Sequence, residues 1–303
     1  MAEINAKREI VIVTDSCSDM YTELREKYNV EYIPMHIMYK GKEVPASLNW
    51  GEVFTQRELW DEIATKNRLT TSQINQSEFV EHFTKWLDEG KDIIYIACSS
   101  ALSASVHSAE KAAEELLPNY PGAKIYCIDA LNACKGECMM VIKASELRAE
   151  GKSIDEIVSW IEANKLRYNQ ICTVDDLSYL KRAGRVTGAA AFFGGILQVK
   201  PIIVSDIKGH NAPIAKVKGR KNAINFLVER CKEVIENPEE QTLYVSHGDC
   251  LADAEVFAEK LREAVHPKDI YIDWLGPIIG ATTGPGTLVV YCFGKEETFL
   301  KED

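Results

Sequence analysis

The sequence predicts an α/β fold of two domains, the first of them built on a parallel sheet. Two patterns carry that prediction. Through the first half, short continuous apolar runs alternate with amphipathic segments, as expected for strands buried on both faces with helices between them. Past Leu166 the texture changes: six strand-like runs follow, with only two long amphipathic segments among them. The chain has 303 residues, 46% hydrophobic and 27% charged, which is ordinary globular composition and enough length for two cores. Domains are therefore expected at 1–166 and 167–303.

EIVIVTDS reads as the first buried strand and MYTELREKY as the helix after it. VEYIPMHIMYKG reads as a second strand, followed by helices TQRELWDEIATK and SEFVEHFTKWLDEG. Strand DIIYIACSS leads into helix SASVHSAEKAAEELL, and strand AKIYCIDA into a long helix through NACKGECMMVIKASELRAEG. Gly151 closes that helix and Ser153 caps the next, SIDEIVSWIEANKLR. The second half supplies strands QICTVDD, KPIIVSD, APIAKVKG, TLYVSHGD, IYIDWLG and GTLVVYCFG, with helices KNAINFLVERCKEVIEN and ADAEVFAEKLREAV.

Charge and composition exclude several classes. The formal net charge of -11 argues against a nucleic-acid binder, a local basic patch aside, and disfavours anionic membrane surfaces. No apolar stretch is long enough to span a bilayer, so an integral membrane protein is not expected. The start, MAEINAKREIVIV, has no secretory pattern, and nine cysteines without a regular framework suit a reducing cytoplasm. Cys134 and Cys138 can share a helix face, but partner ligands are lacking nearby and packing is the expected role. No metal or cofactor is called for.

Several polar segments are candidates for chemistry. Thr14–Asp19 follows the first strand, where open α/β sheets bind ligands; Ser18 or Asp19 is expected to cap the next helix, and Ser16 is a candidate ligand contact. Thr70, Thr71, Ser72 and Gln73 offer hydroxyls to an anion, with Asn75 or Ser77 capping the helix that follows and Glu78 supporting it. Ser99, Ser100 and Ser103 lie at a strand end before a helix whose free N–H groups favour an anion. A nucleophilic serine there lacks the G-x-S-x-G elbow, and His107 lies further along the helix.

Val174 to Gly188 contains an acidic pair, a short helix and a Gly turn. Asp175 or Asp176 can cap and pair with Arg185, or Lys181, Arg182 and Arg185 can form a docking face for an acidic partner or phosphate. The AAAFFGGILQV run after it reads as core or as the wall of an apolar tunnel. Gly276 to Thr287 is glycine-rich but has neither nucleotide-binding spacing, and His247 at a strand end reads as a satisfied loop histidine, with a base as the alternative.

In this order, the segments Thr14 to Met20, Thr71 to Asn75, Ser99 to Ala109, Val174 to Val186, Lys216 to Ile224 and Gly276 to Thr287 resemble the DegV family of bacterial fatty-acid-binding proteins. That family reads roughly TDSTSDL, TSQPS, SSGLSGTYQSA, VDDLEYLKKGGRI, KVRGRKKAI and GPVIGTHTGPGA. The resemblance implies an N-terminal parallel-sheet domain, a C-terminal α/β domain with a mixed sheet, and a fatty acid between them. It points to Thr71, Ser72, Ser99, Ser100 and Thr282 around the carboxylate. It also implies a non-catalytic carrier that presents a long-chain fatty acid to a separate fatty acid kinase, with Lys181, Arg182 and Arg185 facing that partner. Here Thr282 replaces the family histidine, Cys17 a threonine, Ile74 and Asn75 the Pro and Ser of TSQPS, and Ala101 and Ala104 two glycines.

The physical expectation is an apolar slot ending in uncharged hydroxyls. Each buried methylene contributes roughly 0.8 kcal/mol, so burial supplies the affinity and the head group needs only hydrogen bonds to offset desolvation. The alternatives are an acyl transferase or hydrolase using Ser100 or Cys98, and a regulatory protein that senses lipid.

Overall fold

The computed structural model describes residues 8–65, 69–186 and 199–300. The first half runs β1 (Ile10–Asp15), α1 (Thr22–Tyr28), β2 (Glu31–Ile33), β3 (His36–Tyr39), β4 (Lys42–Pro45), α2 (Gln56–Ala64), β5 (Thr71–Ser72), α3 (Gln76–Asp88), β6 (Asp92–Ala97), α4 (Ser105–Leu116), β7 (Ile125–Asp129), α5 (Lys135–Ala149) and α6 (Ile154–Asn164). The second half runs β8 (Tyr168–Thr173), α7 (Ser178–Ala183), β9 (Val199–Ser205), β10 (Asn211–Lys218), α8 (Arg220–Val234), β11 (Thr242–His247), α9 (Leu251–Val265), β12 (Asp269–Trp274), α10 (Pro277–Thr283) and β13 (Leu288–Phe293).

Both expected sheets are present. β2-β1-β6-β7 form a four-stranded sheet that is parallel throughout. β1 and β6 are buried at every position, which is why both read as unbroken apolar runs. One face carries Val11, Val13, Ile93 and Tyr95 into a core with α3 and α4; the other carries Ile10, Ile12, Ile94 and Ile96 against α5 and α6. The second sheet, β10-β9-β8-β13-β11-β12, is mixed: only β11 and β12 pair in parallel.

Side-chain alternation gives the mixed sheet two different faces. Leu288, Val290 and Cys292 pack with α8 and α9, while Val289 and Tyr291 point toward the core shared with the parallel sheet. α5 lies between the sheets, packing on β1 and β6 on one side and on β8 and β13 on the other. It is buried around most of its surface for that reason, Lys135, Glu137 and Ser145 included.

VEYIPMHIMYKG is not one strand. Pro34 has no N–H to give a ladder, and the chain divides there. β2 stays on the parallel sheet, while β3 joins β4 and β5 in a small antiparallel sheet. The β3–β4 turn is Lys40-Gly41, with φ of +48° and +79°, a two-residue hairpin connection that the apolar pattern alone did not signal. Gly276 to Thr287 likewise holds a short helix, α10, with Pro277 at its first turn.

The expected caps form at Asn75 with Glu78 and at Ser153 with Glu156. The cap expected near Ser18 forms differently. Asp15 caps a single 3-10 turn at Ser16–Ser18, and α1 has no side-chain cap. Among the described residues, no helix is long and apolar enough to cross a membrane.

Candidate functional site

Three turns at the carboxyl ends of β1, β6 and β7 meet the inner face of the mixed sheet. Asp15 organises the first two: Oδ1 accepts from the Cys17 amide at 2.8 Å, and Oδ2 accepts from the Cys98 amide at 3.2 Å and the Tyr95 hydroxyl at 2.7 Å. Burial raises the Asp15 pKa above the usual carboxylate value, against the lowering effect of these donors. At the third turn, Asp129 Oδ1 accepts from the amides of Ser100 (3.1 Å) and Leu131 (2.9 Å), tying the β6 turn to the β7 turn.

These turns enclose a cavity of about 380 Å³. Its polar lining includes Thr71, Ser72, Gln73, Ser100, Ser103 and Thr282. Its apolar wall includes Met35, Ala133, Leu180, Ile203, Val289 and Ile278. Four cysteines, Cys17, Cys98, Cys134 and Cys172, also face it. The wall therefore draws on both sheets, on α7 and on α10.

The Thr71–Gln73 segment reaches the cavity because it is docked at both ends. Thr71 and Ser72 pair with Ile37 and His36 of β3. The Ile74 amide donates to Ser105 Oγ at 3.3 Å, and Gln73 Nε2 to Ser108 Oγ at 3.3 Å. Ser72 Oγ is committed to Glu43 Oε1 at 2.5 Å.

The two neighbouring serines of the β6 turn part company. Ser100 lines the cavity, and its hydroxyl takes no partner among the described residues. Ser99, expected beside it, is turned away: fully buried, it donates to the Gly209 carbonyl at 2.9 Å and accepts from the Ala101 amide at 3.2 Å. Ser16 is structural as well, donating to Ala46 O at 2.7 Å and accepting from the Met35 amide at 3.0 Å.

The basic trio does not form one face. Arg185 is the one charged side chain among the described residues lining the cavity, and its Nε donates to Leu102 O at 3.2 Å. Arg182 stacks over the Tyr179 ring at 4.5 Å and borders a small adjoining recess that shares Thr71, Arg185 and Thr282 with the cavity. Lys181 is exposed and lines neither space. Asp175 pairs with Lys200 at 2.6 Å rather than with Arg185, and Asp176 caps the turn into α7 by accepting from the Ser178 amide at 2.8 Å. Of the AAAFFGGILQV run, all but Val199 lies outside the described residues.

No histidine lines the cavity among the described residues. His247 is buried against Trp274 with ring centroids 4.6 Å apart, and burial lowers its pKa. His107 is exposed and pairs with Glu110 at 3.0 Å. Ser100 and Cys98 therefore have no imidazole base within the described wall. The hydrogen bond from Cys17 lowers the Cys98 pKa, but burial and the Asp15 and Asp129 carboxylates together leave it above the ordinary thiol value. Among the described residues, no group of three His, Cys, Asp or Glu side chains is placed to hold a metal ion. Cys134 instead donates its thiol to Asp19 Oδ2 at 3.0 Å, and Cys138 is core.

Residues 9–295 match the family model described as "Uncharacterised protein, DegV family". The chain belongs to the DegV family. A DegV domain-containing protein of Clostridium perfringens is 38% identical over 287 residues, covering 95% of this chain and 98% of that one. A DegV family protein of Thermus thermophilus, described for its fatty acid binding, is 27% identical with a TM-score of 0.83 over 95% of this chain and 100% of that one. DegV of Bacillus subtilis, described as a fatty acid binding protein, is 28% identical with a TM-score of 0.79 over the same shares. These likenesses agree with the DegV-type pairing of a parallel-sheet domain and a mixed-sheet domain.

Within this DegV-family chain, Thr282 is the residue that the resemblance sets against a histidine. It lines the cavity, with its Oγ1 donating to Ile278 O at 2.8 Å inside α10. Gln170, Asn211 and Tyr291 also line the cavity, and sequence reasoning did not single them out. The period-2 alternation of the β8 and β13 runs held the signal for Gln170 and Tyr291. Which face was inner depended on the packing of the whole sheet.

Proposed function

We propose that this protein binds a long-chain fatty acid in the cavity between its two sheets, with the carboxylate at the Thr71, Ser100 and Thr282 end. The carrying observation is the composition of the wall: apolar and sulfur-bearing side chains together with the hydroxyls of Thr71, Ser100, Ser103 and Thr282, and Arg185, which with Thr71 and Thr282 also borders the adjoining recess. Ten buried methylenes contribute roughly 8 kcal/mol, enough to hold a tail without any covalent step. Arg185 and the hydroxyls offset the desolvation of the carboxylate. Relatives described as fatty acid binding support the ligand class.

In this reading the protein is a cytoplasmic carrier and not itself a catalyst. It presents the head group to a separate fatty acid kinase for acyl-phosphate formation, with Arg182 and Lys181 near the surface the partner meets. Thr71 and Ser72 form the rim, and Ser99 fixes the turn that presents Ser100. A division of the chain near Leu166 belongs to the same reading, with the lipid held between the halves.

Native mass spectrometry of the purified protein tests it. A co-purified fatty acid, or one-to-one uptake of added oleate, is the expected result. Failure to take up any fatty acid from C12 to C20 overturns the reading. Intact mass after exposure to an activated acyl ester separates the carrier from an acyl transferase: a carrier shows no adduct on Ser100 or Cys98.

A further inference from the structure

Two cysteines of the cavity wall follow the ends of adjacent strands. β1 and β6 are adjacent and parallel, in register from Ile10 with Asp92 to Val13 with Tyr95. Cys17 lies in the turn after β1 and Cys98 directly follows β6. The Asp15 carboxylate grips both backbones, one amide on each oxygen. Each thiol shifts the other's titration, and Cys17 Sγ also contacts Met35 Sδ at 3.6 Å. Both residues are at most 3% exposed, yet both face the cavity. Their contact with anything dissolved is therefore through that space.

We propose that Cys17 and Cys98 are an oxidation site, closing to a disulfide in the lipid-free protein and shielded from oxidant when an acyl chain fills the cavity. This deepens the lipid-binding reading and rests on it for the shielding. With hydrogen peroxide as oxidant, one sulfur attacks the O–O bond; an S–O bond forms, the O–O bond breaks, and the departing oxygen leaves as water. The partner sulfur then displaces the sulfenic oxygen; the S–S bond forms, the S–O bond breaks, and a second water leaves. Two thiols and one peroxide give one disulfide and two waters, with two electrons passing from sulfur to oxygen. The interaction with Cys98, in which the Cys17 thiol is the donor, then burial, raises the Cys17 pKa, so the thiolate is scarce and the pair answers to sustained oxidant rather than to a brief pulse. Closure also bears on the rest of the wall, because the Cys17 carbonyl accepts from the Cys134 amide at 2.7 Å.

Delipidated protein is treated with hydrogen peroxide, with and without saturating oleate, and followed by intact mass and non-reducing peptide mapping. The expected result is a loss of 2 Da and a Cys17–Cys98 linked peptide, formed at least fivefold more slowly with oleate, and absent in Cys98→Ser. An unchanged mass, or linkage between other cysteines, overturns the proposal. Calorimetry on the same samples separates the two ideas. Equal oxidation rates with oleate demonstrably bound overturn the shielding. Absence of oleate binding sinks the lipid reading, while the linked peptide in the lipid-free arm still decides the thiol pair.

Discussion

The Ser99 hydroxyl donates to the Gly209 carbonyl at 2.9 Å across 110 residues of chain. This bond joins the β6–α4 turn, which presents Ser100 to the cavity, to the β9–β10 hairpin of the mixed sheet. The hairpin approaches closely because Gly209 has no side chain: a Cβ there would lie 2.1 Å from Ser99 Oγ, and φ is +79°. Ser99→Ala is expected to destabilise by about 1 kcal/mol, and Gly209→Ala by roughly 1–3 kcal/mol from backbone strain alone. Denaturant unfolding measures both; a neutral Gly209→Ala contradicts the close approach.

The division of labour between the two serines is separable by binding. Ser100→Ala should weaken fatty-acid binding by about 1 kcal/mol, close to fivefold in Kd. Ser99→Ala, corrected for folded fraction, should change it less than about twofold. Calorimetric titration with oleate checks both, and equal losses would put Ser99 at the head group after all.

Arg185 supplies the only described positive charge in the cavity wall. Arg185→Gln should weaken binding of a fatty acid by about 2 kcal/mol, the scale of a charged hydrogen bond. The matching fatty alcohol, which carries no charge, should bind both proteins alike. A parallel loss for the alcohol would mean that Arg185 shapes the wall rather than meeting a carboxylate.

Lys135 is a fully buried strut between the halves. Its Nζ donates to Asp19 O at 2.5 Å and Asp273 Oδ2 at 3.1 Å. Burial alone would lower its pKa, but Asp273, Cys134, Cys138 and Asp19 together raise it, so it stays charged. Lys135→Met leaves Asp273 without this cation in a mostly buried place and should cost about 3 kcal/mol in unfolding experiments. The double variant Lys135→Met with Asp273→Leu should recover much of that loss.

Asp19 gives the fold a pH signature. Burial raises its pKa to about 7, against the lowering effects of the Cys134 thiol, the Gly276 amide and Lys135, with Asp273 adding to the rise. The folded state thus holds this proton more tightly than the unfolded chain. Its contribution to stability is complete below about pH 4 and is lost as pH rises through about 7. In Asp19→Asn, stability should fall less steeply than in the parent between those limits. Parallel profiles from thermal melts would refute the assignment.

Much of the fold was legible locally. Unbroken apolar runs gave β1 and β6, capping boxes gave the starts of α3 and α6, and six strands were visible in the second half. Local signals failed where a strand changed sheets at Pro34 and where a glycine-rich segment wound into α10, because neighbours distant in sequence supply the partners there.

By itself the sequence determined the order of strands and helices, the family, and the hydroxyl-bearing turns that follow β6 and precede α3. These follow from side-chain period and cap chemistry, which act over a few residues. Only the tertiary structure decided that Ser100 faces the cavity and Ser99 does not, that Arg185 enters the wall while Lys181 stays outside, and that Cys17 and Cys98 share Asp15 and the cavity. A turn can aim its adjacent side chains in opposite directions. Which of them reaches the ligand space is set by contacts that close loops of eighty residues or more, such as Cys98 on Asp15 and Ser99 on Gly209.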